Sequence, residues 1–153
     1  MGTKSSLVMG KSEALFSIRI ARWEADASLL RIVRTVVFIQ EQQVPAELEW
    51  DEFDRTSAHV LACDAQGEPI GTARFLSSGH IGRMAVMKEW RKQGVGSAIL
   101  QKALEEMISL GMHNAVLNAQ VAAVDFYRKF GFQVYGNEFM DAGIPHVKMS
   151  LQL

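Results

Sequence analysis

The run Arg91-Lys92-Gln93-Gly94-Val95-Gly96-Ser97 stands between a strand-like segment and a strongly amphipathic helical pattern. The first turn of a helix has N–H groups without intrahelical partners and carries the positive end of the helix dipole. Glycines let backbone approach an anion and take positive φ. Arg91 and Lys92 add charge beside them. Such a turn suits a phosphate or pyrophosphate, each hydrogen bond to a charged group being worth about 1.5–3 kcal/mol. The same residues also fit a tight strand-to-helix turn with a solvated Arg-Lys pair. No Gly-Lys-Ser/Thr follows as in a Walker loop, and Ile99 stands where a dinucleotide fingerprint has its third glycine.

Other chemistry-bearing residues are fewer. Between Gln40 and Thr56 lie six carboxylates (Glu41, Glu47, Glu49, Asp51, Glu52, Asp54) and one arginine. They fit an acidic rim that steers a cationic amine, or a solvated loop. Cys63 sits among apolar residues, as a small core residue does. His59, His80, His113 and His146 form no metal-ligand spacing, so no metal is expected.

The elements that must place these residues follow from periodicity. Ile18–Trp23 alternates as a strand, and Leu29, Leu30, Val33, Val36 and Val37 recur at helical spacing, with Asp26 or Ser28 as cap and an end near Gln40. Residues 43–56 suit a loop or short helix. His59–Cys63 and Ile70–Leu76 form a hairpin across Asp64–Gly67, and His80–Val86 is the next strand. Val95, Ile99, Ala103 and Met107 stripe a helix that ends near Gly111. Strands at Ala115–Ala119, Phe132–Tyr135 and Val147–Leu153, with a helix at Ala122–Phe130, complete a β-α-(β-β-β)-α-β-α-β-β order. The fold class is α/β (α+β by some schemes), with a mixed sheet and helices on its faces.

A chain of 153 residues, 48% hydrophobic and 22% charged, is one domain able to bury a core without staples. One cysteine precludes an intrachain disulfide and points to a reducing, cytoplasmic setting. A net charge of −1 argues against nucleic acid, and no apolar run approaches the ~20 residues of a membrane span. Residues 1–16 are expected to be a flexible lead-in, and Met1-Gly2 with Ser6 fits a permissive N-myristoylation pattern. The ordered domain is expected over 17–153.

Arg91-x-x-Gly94-x-Gly96 resembles the acetyl-CoA pyrophosphate motif of the GCN5-related N-acetyltransferases (GNAT). Ala123-Val124-Asp125-Phe126-Tyr127-Arg128-Lys129-Phe130-Gly131-Phe132 resembles that family's A-x-x-F-Y-x-x-x-G-F signature, about thirty residues later. Val37–Pro45 and Gly143–Met149 are similar to segments of its ElaA/YjcF-like branch. One departure is Gln120, where many members carry Asn.

The resemblance implies a mostly antiparallel central sheet with splayed middle strands, and transfer of acetyl from acetyl-CoA straight to a primary amine of a small molecule or peptide. It implies that the backbone of Met84, Ala85 and Val86 binds the pantetheine arm and that Arg91, Lys92, Gln93, Gly94, Val95, Gly96 and Ser97 bind the pyrophosphate. An amide near Val86 would stabilise the oxyanion and Tyr127 would protonate the thiolate. Glu41 is the first candidate base, with His146, Asp51 or water as alternatives; Glu41, Asp51 and His146 border the acceptor. A homodimer is compatible with the resemblance. A non-catalytic acyl-CoA sensor, and a nucleotide-binding protein using the same turn, are the other readings.

Overall fold

The computed structural model describes residues 6–9 and 15–153. Eight strands form one sheet in the order β1-β2-β3-β4-β5-β6-β8-β7. They are β1 (Ser6–Met9), β2 (Leu15–Ala21), β3 (Ala58–Asp64), β4 (Pro69–Phe75), β5 (His80–Val86), β6 (Asn114–Gln120), β7 (Gln133–Asp141) and β8 (Ile144–Gln152). Every pair is antiparallel except β5–β6. Within the segment expected as a flexible lead-in, Ser6–Met9 pairs with Leu15–Ile18 as an edge strand, and β2 begins at Leu15. The N-myristoylation match at Met1-Gly2 lies outside the described residues.

Helix α1 (Trp23–Arg34) covers one face of the sheet and α3 (Val95–Ser109) the other. The strand period shows why. Val60 and Ala62 of β3 join the core under α3, while Leu61 and Cys63 pack with Leu30 of α1. Two short helices, α2 (Ala46–Glu49) and α4 (Val124–Arg128), flank these.

Helix α1 starts earlier than Asp26 or Ser28. Asp26 lies inside the first turn, where its carboxylate accepts from the Arg22 amide at 3.0 Å and pairs with Arg19 at 2.8 Å. Beyond Arg34 the helix widens into a π-helical segment over Thr35–Glu41, closed by Gln42 N–H donating to Val37 C=O at 3.1 Å. This carries Val37 to the sheet, where it packs on Val33 and Ala85.

Helix α3 buries the expected stripe of Val95, Ile99, Ala103 and Met107, widened by Leu100. It ends with Met112 N–H donating to Met107 C=O at 3.0 Å and Gly111 at φ 79°. Its seat on β4 needs Gly71, where a Cβ would lie 2.6 Å from Ile99 Cδ1.

Candidate active site

The single parallel pairing is also the weakest seam of the sheet. β5 and β6 are in register only at His80–Val116 and Ile81–Leu117. From Gly82 onward that edge of β5 has no partner strand among the described residues. The cause is local. Thr72 of β4 pairs with Ala85 and Arg74 with Gly82, so three steps on β5 face two on β4. The extra residue makes a bulge with Arg83 at φ 49°, and a bulge bends its strand.

A left-handed arginine is strained. Its side chain is what holds it: the Arg83 guanidinium donates to the carbonyls of Leu48 and Glu49 and pairs with the carboxylates of Glu49 and Asp51, both at 3.2 Å. Those carboxylates belong to a larger network. Arg34, 1% exposed, donates to Glu49 at 2.7 Å and Asp54 at 2.6 Å, and lies 4.8 Å from the centroid of the Trp50 ring. Arg74 binds Asp51 at 2.6 Å and Asp54 at 2.8 Å. Arg34, Arg74 and Arg83 thus balance Glu49, Asp51 and Asp54. Buried charge persists only when so paired.

Half of the acidic run is therefore internal structure rather than an open rim or a solvated loop. Asp51, expected beside the acceptor, does not line the cavity. The hydrogen bonds from Arg74 hold its carboxyl below the usual range, and Arg83 reinforces this. Burial pushes the Asp54 carboxyl up, but bonds and charge from Arg34 and Arg74 outweigh it and leave it low. Burial wins at Glu49, whose carboxyl is raised.

Where β5 and β6 part, a cavity of about 560 Å³ opens. It is the size of a small-molecule site. Met84, Ala85, Val86, Arg91, Tyr127 and His146, all candidate site residues, line it. Tyr127 reaches it from α4 on the α3 side of the sheet, its ring against Phe126 and Phe132 at 5.1 and 6.0 Å. Its hydroxyl has one long contact, to Met84 Sδ at 3.6 Å, and burial pushes the phenol up to about 12.

The anion turn adjoins this wall. Lys92 and Gly94 take φ 62° and 89°. Gly94 precedes α3 without a capping side chain, and the first bond into the helix is Ala98 N–H to Gly94 C=O. The amides of Val95, Gly96 and Ser97 thus lack intrahelical acceptors. A Cβ on Gly96 would lie 3.6–3.8 Å from Phe126 and Met84, so this turn and the Tyr127 wall are neighbours. The open amides, the positive-φ pair and Arg91 suit a diphosphate bound at the turn.

Glu41, expected as the first candidate base, is paired with Arg91. Its two oxygens accept from Arg91 at 2.6 and 2.7 Å, and Arg91 also donates to Val86 C=O at 2.9 Å. The Arg91 hydrogen bonds hold the Glu41 carboxyl below the usual range. It lies outside the cavity lining. Its place is to tie the π-helical segment to the anion turn through Arg91.

The other wall lies on the α1 face. Ala115, Leu117 and Ala119 of β6 join the core under α3, so Asn118 and Gln120 point the opposite way. His146 is directly across from Gln120 on β8. It is buried and stacks on Phe139 at 5.9 Å. Its Nδ1 lies 2.7 Å from the Ile144 carbonyl, which can only accept, so the proton is on Nδ1 and Nε2 keeps its lone pair in the neutral ring. Gln120 donates to Gln42 Oε1 at 3.0 Å, bridging β6 to the segment after the π-helix. Gln42, Asn118, Arg83 and Asp141 are lining residues that the motifs did not mark. Strand alternation on β6 was the available signal for Asn118.

Among the described residues no grouping of His, Cys, Asp and Glu has the arrangement of a metal site, and no helix is long and apolar enough to cross a membrane. Residues 28–153 match a family model described as Acetyltransferase (GNAT) domain. The chain is 43% identical over 135 residues to "Uncharacterized N-acetyltransferase YjcF" of Bacillus subtilis, covering 85% of this chain and 95% of that one. It is 30% identical over 129 residues to protein ElaA of Escherichia coli, covering 79% of this chain and 84% of ElaA. The ElaA crystal structure superposes with a TM-score of 0.79 over 88% of this chain and 98% of that one, at 26% identity. An acyl-CoA N-acyltransferase from Pseudomonas aeruginosa gives 0.78, at 25% identity, over 95% and 99%. With the family model spanning residues 28–153 and a relative 43% identical over most of both chains, the chain belongs to the GNAT acetyltransferase family.

Proposed function

We propose that the protein transfers an acetyl group from acetyl-CoA directly to a primary amine of a small molecule or peptide. The observation that carries this reading is the cavity at the parting of β5 and β6, with the Tyr127 hydroxyl on its α3 side and the bare Nε2 of His146 on its α1 side. Acetyl-CoA supplies an already activated thioester. Gly94 to Ser97, with Arg91 and Lys92, hold its diphosphate, and the unpaired edge of Met84, Ala85 and Val86 accepts the pantetheine arm as an added strand. An amide on that edge near Val86 stabilises the oxyanion.

His146, rather than Glu41 or Asp51, takes the proton from the attacking amine, directly or through water. Tyr127 gives its proton to the departing sulfur. Direct transfer needs no protein nucleophile. Cys63, the one thiol, is packed under α1 and raised by burial, away from the cavity.

Steady-state release of CoA over a panel of amines tests this. Saturable, amine-dependent release with intersecting double-reciprocal lines is expected. Parallel lines overturn direct transfer, and tight CoA binding without turnover on any amine favours a sensor instead.

A further inference from the structure

We propose that Asp141 is a specificity-determining residue that selects amines bearing a second positive charge, of the short diamine class. The inference rests on the transferase reading and deepens it.

The hairpin of β7 and β8 brings Asp141 to the site. Tyr135 pairs with Lys148 and Phe139 with His146, so four steps on β7 face two on β8. That irregularity bends the distal half of the hairpin. Beyond it Asp141 pairs with Ile144 across a two-residue turn, Ala142 and Gly143, at φ 50° and 78°. Two positive-φ residues match the twist of a hairpin and fix the register. Asp141 and Phe139 are two apart on β7, and Phe139 is opposite His146, so Asp141 and His146 share a face. They are diagonal neighbours, about 7–8 Å apart by sheet geometry.

The charge balance of the cavity singles Asp141 out. Four charged side chains of fixed sign line it: Glu49, Arg83, Arg91 and Asp141. Arg91 is held by Glu41, Arg83 by Glu49 and Asp51, and Glu49 also by Arg34. Asp141 alone has no ion pair or side-chain hydrogen bond among the described residues. Burial, then the charges of Arg74 and Arg83, favours neutral His80, so that ring supplies no counter-charge. The acceptor wall thus presents one net negative charge, one diagonal step from the proposed base. An ammonium on Asp141 would leave the other end of a short diamine at His146. A carboxylate in the same place would meet repulsion.

Equilibrium binding of diaminobutane, butylamine and 4-aminobutyrate to the CoA-loaded protein tests this, with turnover of the three measured in parallel. Diaminobutane is expected to bind about three- to fivefold more tightly than butylamine, with 4-aminobutyrate weakest. Asp141→Asn should bring the three within about twofold at unchanged CoA affinity, because the Asp141 side chain is exposed and makes no ion pair or hydrogen bond among the described residues. Equal binding by the wild type, no binding of any of them, or an order that survives Asp141→Asn overturns the proposal. Ordered binding without CoA release would overturn the transferase reading and leave the Asp141 assignment standing.

Discussion

Replacing Tyr127 with phenylalanine removes one oxygen and keeps the ring packing on Phe126 and Phe132. The lost contact is a 3.6 Å approach to Met84 Sδ, a weak bond at most, so the melting temperature should not fall. If the hydroxyl protonates the leaving sulfur, kcat should drop. General acids contribute about 10²–10⁴-fold, and the position of the phenol decides where in that range it falls. Burial has pushed Tyr127 up to about 12, some units above the ~8.5 of a thiol, so proton transfer is uphill even to the fully formed thiolate. The lower end follows: about 100-fold in kcat, or ~2.7 kcal/mol in the barrier. The sign of the pH effect also follows. An acid works while protonated and is lost as pH rises through its pKa, so Tyr127 imposes no alkaline limb below about pH 11. Stopped-flow CoA release, CoA affinity by calorimetry and a pH–rate profile separate the cases. A kcat within threefold of wild type refutes the acid role. So does a loss matched entirely by weaker CoA binding, which would make the hydroxyl a ligand only.

Gly94→Glu meets no steric block, since nothing lies within 4 Å of its Cβ position, but φ 89° and a carboxylate at the anion turn should abolish CoA binding in calorimetry. Glu41→Gln should raise the KM for acetyl-CoA several-fold by loosening Arg91, with the shape of the pH–rate profile unchanged; a flattened acid limb would restore Glu41 as the base. Arg34→Ala leaves Glu49 and Asp54 buried beside one fewer cation and should cost about 3–5 kcal/mol in urea unfolding. In acid, Asp51 and Asp54 are held below 3.8, so their stabilisation is present above that value and lost as pH falls through their folded pKa values. Glu49, raised above 4.5, contributes with the opposite sign, its share fading as pH climbs. A melting temperature that stays level from about pH 5 to pH 2 would contradict the network.

The strand and helix order was legible because each element has a clean period, and the glycine turn before α3 because its glycines precede a strong helix. The π-helical segment was not: Thr35–Glu41 continues the helical pattern, and the wider turn shows only in its backbone bonding, as from Gln42 N–H to Val37 C=O. The acidic run misled because carboxylate spacing says nothing of where Arg34, Arg74 and Arg83 come from, the last two lying twenty or more residues downstream. The pairing of Glu41 was hidden for the same reason, its partner being fifty residues away. Asp141 was missed because its place depends on strand register and an irregularity in β7, which alternation alone does not reveal.

The two-pair seam divides the sheet into blocks, β1–β5 carrying α1 and α3, and β6, β8 and β7 carrying α4. Backbone hydrogen bonding across the molecule is almost interrupted there. A bound pantetheine arm would act as a splice, and its binding energy would be spent joining the blocks into one cooperative unit. Amide exchange should then slow on both margins of the gap together when CoA is added, far beyond the atoms it touches.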